Sequence, residues 1–425
     1  NKLLEKLMAN RLVKFLEDNN IFYKNQFGFR NYHSTDYAIL TIIDKIQSAI
    51  DASDYSCGIF LDCSKAFDTI NHQILIQKLD FYGIRGIEKK WFISYLSNRR
   101  QSVIINNVSS DLTSVSCGIP QGSVLGPILF LIYINDFHLC SSLFDFHLFA
   151  DDANLFYRHR NLDTLKENIN SELNNIHSWL CANKLSLNIE KSNFVLFHSR
   201  QKKVSTDFEL TLNNKRLKQE SSIKYLGIYI DSFLSWKTHV VYISKKIKRN
   251  IGILCKLRYY VQTDILVNLY YALIYPFLTY GLLAWGNTYK TTLQPIVILQ
   301  KKTIRLLTFS SFDAHSSPLF KLLSILKMND LVEYYVAIFM FKYNNNLLPS
   351  VFNNFFNSVS NIHKYRTRSA TKNNFHIPKA NTNYGKFNIR FQGAKIWNAI
   401  DENIRKTETL KKFKHNLKVT VLKSY

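Results

Sequence analysis

Phe144-Asp145-Phe146-His147-Leu148-Phe149-Ala150-Asp151-Asp152-Ala153-Asn154-Leu155-Phe156-Tyr157 is the stretch on which the reading of the fold turns. Phe144, Phe146, Leu148 and Ala150 recur with period two, the alternation of a half-buried strand, and Leu155-Phe156-Tyr157 resumes as a second strand. Asp151 and Asp152 therefore fall at a hairpin turn, rigidly held but exposed. Two adjacent carboxylates disfavour joint ionisation unless a cation lies between them. Hard oxygen donors suit Mg²⁺, which takes one or two carboxylates and leaves the rest of its shell to water and phosphate oxygens. An isolated Asp-Asp pair is more often a solvated turn, so the weight of this reading depends on the rest of the chain.

Upstream, residues 57–81 carry a second acidic position. Gly58-Ile59-Phe60-Leu61 reads as a short buried strand with Asp62 at its end, an edge where ligands commonly bind in α/β sheets. Phe67, Ile70 and Ile74 follow at helical spacing and predict a helix beginning near Phe67, with Asp68 in its opening turns as a partner for the helix dipole. Between the two acidic positions lies Gly118-Ile119-Pro120-Gln121-Gly122-Ser123-Val124-Leu125-Gly126-Pro127. Its glycines allow close approach of backbone to a flat ligand, Gln121 offers both donor and acceptor, and Ser123 can cap the apolar helix expected over 128–137. Earlier still, Gln26-Phe27-Gly28-Phe29-Arg30 precedes Ser34-Thr35-Asp36, a cap for the periodic run Ile39, Ile42, Ile43, Ile46 and Ile50. Arg30 on that loop has the planar fork that meets a phosphate in bidentate fashion, although a lone Arg is more often a surface residue.

The composition fits such a site. The chain has 425 residues, 46% of them hydrophobic, with 31 Phe and 24 Tyr, which excludes a disordered protein and suggests about three domains. A formal net charge of +24 attracts polyanions, so nucleic acid or an anionic membrane surface leads the partner classes. The six cysteines show no metal-site spacing and no disulfide framework, and read as small buried residues of a reducing compartment. Residues 265–289 carry no charge, long enough to span a bilayer. Its tyrosines are spread throughout rather than gathered at the two ends, which favours two shorter buried helices meeting near Pro276 and no membrane association. Residue 1 is Asn, so the sequence is expected to be part of a longer reading frame.

The order of these pieces carries a resemblance. Leu61-Asp62-Cys63-Ser64-Lys65-Ala66-Phe67-Asp68, then Gly118 to Pro127, then Phe149-Ala150-Asp151-Asp152 resembles the three palm motifs of reverse transcriptases, in the form seen in jockey- and CR1-like non-LTR retrotransposons. Gln26 to Arg30 with Ser34-Thr35 is similar to the fingers motif of that family. Asn183-Lys184-Leu185-Ser186-Leu187-Asn188 to Lys191 resembles its fourth palm motif, and Tyr225-Leu226-Gly227-Ile228-Tyr229-Ile230-Asp231 its primer grip. Arg366-Thr367-Arg368, Ile396-Trp397-Asn398 and Phe413-Lys414 match its tail, except that Ile400-Asp401 stands where a Leu-Pro pair is usual.

What the resemblance implies is an α+β right-hand polymerase. Fingers and palm would occupy 1–200, primer grip and thumb 201–262, and a mostly helical basic extension 263–425. Asp62, Asp151 and Asp152 would hold two Mg²⁺ ions, with Mn²⁺ as a substitute and the Cys63 carbonyl as an extra ligand. Phe67 would exclude a ribose 2′ hydroxyl, Gln121 contact the incoming nucleotide, Arg30 its triphosphate, and Lys191 protonate the leaving pyrophosphate. The partners would be an RNA template, a DNA primer or target, and deoxynucleoside triphosphates, in a nuclear and cytoplasmic ribonucleoprotein. The endonuclease that normally precedes this polymerase is not in the sequence.

Downstream of the palm, Leu162, Leu165, Ile169, Leu173, Ile176 and Leu180 predict an amphipathic helix under the sheet. Residues 242–260 hold six Lys or Arg and no acid. Lys245, Lys246, Lys248 and Arg249 on one face of that helix are candidates to grip a duplex backbone, with a solvated face as the alternative. The segments around 300–305, 344–346 and 361–374 read as a basic helix and as loops able to hold RNA phosphates. Two other readings stay open: a catalytically inactive nucleic-acid-binding remnant of such an element, and a group II intron-type maturase, which typically has Tyr at position 149.

Overall fold

Strand formation follows the alternation read from the sequence. In the computed structural model, which describes residues 2–63, 65–202, 204, 208–362, 372 and 374–425, the strands Asp145–Phe149 and Asp152–His159 pair antiparallel with Phe149 opposite Asp152. The strand Tyr55–Leu61 pairs antiparallel along the other edge of Asp152–His159, from Tyr55 opposite His159 to Leu61 opposite Ala153. Asn193–Phe197 and the short Lys218–Gln219 complete a five-stranded sheet in the order 218–219, 193–197, 55–61, 152–159, 145–149. Helices and sheet together make the fold α+β.

The described residues pack into two units, Asn1–Ser34 with Tyr55–Leu196 and Lys203–Glu220, and Thr35–Asp54 with Phe197–Lys202 and Ser221–Tyr425. These are packing units and differ from the expected boundaries near 200 and 262, which concern function.

In the first unit the helix Leu162–Ala182 lies under the sheet. Asn161 caps it by accepting from the Asp163 and Thr164 N–H groups, and Leu165, Ile169, Leu173, Ile176 and Leu180 are buried as its period requires. Each such burial contributes roughly 1.5–3 kcal/mol, so Leu173→Ala alone would cost about 2–5 kcal/mol. The helix Gly126–Ile134 is apolar all round and buried on every face, against His72–Phe81. The helix Lys2–Asp18 buries only Ala9, Leu12 and Leu16 of its apolar stripe, while Leu4 and Leu7 face solvent.

The expected helix start at Phe67 is corrected. Phe67 and Asp68 lie in a turn, and the helix runs His72–Phe81 behind Asn71, whose side chain accepts from the Ile74 N–H. An Asn cap at the true start outweighs the accidental 67/70/74 spacing.

In the second unit the helix Thr35–Asp51 is buried on most faces. It begins at Thr35, where the Ser34-Thr35-Asp36 stretch places a helix start, and the Asp36 carboxylate accepts the Gly281 N–H at 2.7 Å. Asp44, 3% exposed, forms a two-pronged ion pair with Arg390 at 2.8 and 2.9 Å, and the Asp51 carboxylate accepts from the Thr382 N–H and hydroxyl. Residues 265–289 break into the helices Thr263–Leu273, Tyr275–Thr279 and Leu282–Trp285, at Pro276 as expected and again at Gly281, whose φ is 63°. Among the described residues no helix is long and apolar enough to cross a membrane. Gln300 and Thr303, read as part of a basic helix, are core residues of Lys290–Leu307, Gln300 donating to Tyr270 Oη and the Leu326 carbonyl. Of the tail motif, Trp397 and Phe413 are buried and Asn398 bonds both backbone groups of Phe375, so these residues build core. Arg366-Thr367-Arg368 and Ser64 lie outside the described residues. Only Cys57 and Cys63 are buried; Cys117, Cys181 and Cys255 are exposed thiols, contrary to expectation.

Candidate active site

Asp62 follows directly on the strand Tyr55–Leu61, whose last residue faces Ala153, so it stands across from Asp152 where the two strands end. Its backbone is held on both sides by one turn. The Asp62 N–H donates to Ser192 Oγ at 3.2 Å, the Asn188 N–H donates to the Asp62 carbonyl at 2.9 Å, and Ser192 Oγ donates to the Asn188 carbonyl at 2.9 Å. Cys63 extends the attachment by pairing with Leu187.

Asp151 and Asp152 occupy the tip of the hairpin, where Ala150 adopts the left-handed conformation at φ 54°. The Asn25–Gly28 segment lies alongside. Phe27 N–H donates to the Leu148 carbonyl at 2.8 Å, Leu148 N–H to the Asn25 carbonyl at 2.9 Å, and Gln26 Oε1 accepts the Ala150 N–H at 3.0 Å.

The three carboxylates sense one another. Burial pushes the Asp152 carboxyl up to about 6, and the charges of Asp151 and then Asp62 push the same way. Asp152 keeps open surface, so like-charge repulsion is the sturdier of these causes. Cys63 feels all three: burial first, then Asp151, Asp62 and Asp152, raise its thiol to about 12. This acidic, oxygen-only donor set fits a hard divalent cation, which needs only one or two carboxylates. No group of three or more His, Cys, Asp or Glu side chains among the described residues is arranged as a ready-made metal cage.

The remaining candidates fall at different distances from that chemistry. Lys191 Nζ lies 3.9 Å from Asp62 Oδ2, an exposed and therefore weak ion pair. Phe67 is half-buried, stacked on Phe130 at 4.4 Å between centroids and edge-on to the exposed Phe29 at 6.4 Å. Gln121 donates through Nε2 to Asp68 Oδ1 at 2.9 Å, so Asp68 serves the glycine loop and not a helix dipole. Gly118, at φ 82°, sits so near the Asp68 carbonyl that a Cβ would come within 2.6 Å, which locks that loop to the segment carrying Phe67. Arg30 is partly spent on structure: one Nη donates to the Tyr23 carbonyl at 3.0 Å, the guanidinium lies 5.1 Å from the Phe22 ring, and burial lowers its pKa. In the second unit, Lys245, Lys246, Lys248 and Arg249 are exposed on the helix Lys237–Leu257, whose other face buries Val240, Ile243, Ile247, Ile251 and Leu254.

Sequence reasoning placed Gln26 and Asn188 inside motifs without giving either a role, and passed over Ser192. The one local hint was Asn188 and Ser192 four residues apart just before a strand, the spacing of a self-bonded polar turn.

Comparison with known proteins completes these observations. A sequence profile described as reverse transcriptase (RNA-dependent DNA polymerase) matches residues 1–230. The chain is 26% identical over 342 residues to the RNA-directed DNA polymerase from mobile element jockey of Drosophila melanogaster, covering 77% of this chain and 37% of that protein. It is 29% identical over 318 residues to the probable RNA-directed DNA polymerase from transposon X-element of the same species, covering 72% and 34%. The chain thus spans about a third of the length of the curated relatives it matches. Telomerase from Candida albicans, solved with a fragment of telomeric RNA, aligns over 76% of this chain and 58% of its own at 14% identity and a TM-score of 0.42, too loose to bear on the fold.

Proposed function

The chain belongs to the reverse transcriptase (RNA-dependent DNA polymerase) family, and from that premise we propose that it extends a DNA 3′ end on an RNA template, as the polymerase portion of a non-LTR retrotransposon protein. The observation that carries this reading is the placement of Asp62, Asp151 and Asp152 together where the central strands end.

In this reading Asp62, Asp151 and Asp152 hold the divalent ions; Mg²⁺ is the expected ion and Mn²⁺ a substitute. Such ions, when bound, supply charge neutralisation of the triphosphate and activation of the primer hydroxyl. The chain's own residues do the rest. Phe67 presents its ring edge to the sugar, and Gln121, held by Asp68, offers its amide carbonyl to the incoming deoxynucleotide. Arg30, with one arm anchored, turns its remaining donors to the triphosphate. Lys191, poised near Asp62, delivers a proton to the departing pyrophosphate. Residues 1–200 act as fingers and palm, 201–262 as primer grip and thumb with Lys245, Lys246, Lys248 and Arg249 on the duplex backbone, and 263–425 as a helical extension. The working form is a ribonucleoprotein in nucleus and cytoplasm.

Primer extension on an RNA template by the purified chain, with Asp151→Asn as control, tests the proposal. Template-dependent synthesis that vanishes in the variant supports it. A chain that binds nucleic acid but never extends a primer would instead be a non-catalytic remnant.

A further inference from the structure

We propose that Gln26 is a positioning residue for the Asp151–Asp152 pair: its amide oxygen pins the hairpin tip in the left-handed turn that determines where both carboxylates stand. The inference rests on the reading of those carboxylates as ion ligands.

The side chain is 2% exposed, and Oε1 accepts two backbone donors, the Gly28 N–H at 2.9 Å and the Ala150 N–H at 3.0 Å. Because both partners are donors, the oxygen and not the nitrogen must face them, which fixes the amide's orientation by chemistry. Ala150 needs such help. At φ 54° an alanine bears a cost of about 1–2 kcal/mol that glycine or asparagine, the usual residues of a two-residue hairpin turn, would largely avoid. A strained conformation of this kind persists only where its surroundings over-determine it.

Two surroundings do so here. Gln26 bonds the Ala150 N–H directly, and Gly28 lies against the same atom so closely that a Cβ would come within 2.4 Å of it. The Asn25–Gly28 segment does not depend on the Gln26 amide for its own place. Backbone bonds flank Leu148 on both sides, and Asn25 Nδ2 donates to the Phe146 carbonyl at 3.0 Å. Removing the Gln26 oxygen should therefore free the turn without detaching the segment. The Gln26 Nε2 is itself buried without a hydrogen-bond partner among the described residues, so an apolar replacement also relieves one unsatisfied donor.

The test compares Gln26→Leu, which loses the acceptor, with wild type, in the full chain. Mn²⁺ binding is read by electron paramagnetic resonance, and kcat and nucleotide KM by primer extension. Expected for Gln26→Leu are a Mn²⁺ affinity and a kcat each lowered about tenfold and a KM within twofold, with a melting temperature lowered by only a few degrees as the Gly28 and Ala150 N–H groups lose their acceptor. Should Gln26→Leu fail to accumulate as folded protein, Gly28→Ala displaces the same atom and should give the same split between kcat and KM. Wild-type Mn²⁺ affinity and kcat in folded Gln26→Leu overturn the inference and leave the polymerase reading standing. A wild-type chain that neither binds Mn²⁺ nor extends a primer overturns both.

Discussion

Truncating Phe67 separates a sugar gate from ordinary packing. The ring is half-buried, stacked on Phe130 and edge-on to Phe29, and its backbone carbonyl accepts the Ile119 N–H at 2.9 Å, so its place is set by the glycine loop and not by a helix. A fully buried Phe→Ala costs about 3–5 kcal/mol. Half of that burial plus one lost aromatic stack, itself about 0.5–1.5 kcal/mol, puts Phe67→Ala at about 2–4 kcal/mol. In a chain of 425 residues that lowers the melting temperature by roughly 2–5 °C, leaving folded protein to assay. If the ring occupies the space of a ribose 2′ hydroxyl, the ratio of kcat/KM for deoxynucleotide over ribonucleotide should fall at least about tenfold, or 1.4 kcal/mol of differential transition-state binding. Phe67→Val should fall between. Single-nucleotide incorporation with both sugar types, alongside thermal melting, reads the two effects separately. A lowered melting temperature with unchanged sugar selectivity would refute the gate.

Other expectations are as direct. Asp151→Asn should abolish extension while leaving RNA affinity within a factor of about two, and near wild-type extension would sink the assignment of that carboxylate to the ions. Asp152 has its folded pKa raised to about 6, so the stability it contributes is full below the unfolded value near 3.8 and is lost as pH rises through 6. Asp152→Asn should therefore raise the melting temperature at pH 7 without divalent ions but not at pH 3.5, and equal effects at both would contradict the like-charge account. Replacing Lys245, Lys246, Lys248 and Arg249 with Ala should flatten the slope of log affinity against log salt by about 3–4 units, and an unchanged slope would mean that the helix face meets only solvent. Arg390→Ala leaves Asp44 buried and unpaired, and since the Arg side chain is 36% exposed the loss should lie at the lower end of the about 3–5 kcal/mol typical of broken buried pairs, read from denaturant unfolding.

How much of this was legible in the sequence depends on the range of the interaction. The hairpin around Asp151, the strand before Asp62 and the stripe of Leu162–Ala182 each declare themselves within a dozen or two residues, because period and turn chemistry are local. The helix assigned to Phe67 failed on a local competition that Asn71 won. The braces of the site were invisible for a different reason. Gln26 meets Ala150 across 124 positions, Ser192 meets Asp62 across 130, and Arg390 meets Asp44 across 346, and none of these pairings leaves a periodic trace. Asp36 illustrates the same limit: its place at the helix start is local, but the partner of its carboxylate, the Gly281 N–H, lies 245 positions away.

The braces matter because the carboxylates cannot hold themselves. Asp152 stands beside the like charges of Asp151 and Asp62, so the approach of these carboxylates is enforced by groups that carry no net charge, and the structure supplies three residues for it. Ser192 and Asn188 grip the Asp62 backbone from one side, and Gln26 grips the turn before Asp151 from the other. Neutral acceptors suit the task, since they fix backbone N–H groups without pairing away the negative charge that attracts the ion. On the proposed reading, a related copy that retains every carboxylate would still lose about tenfold in kcat through a change at residue 26. Inspection of the acidic motifs alone would score such a copy as intact.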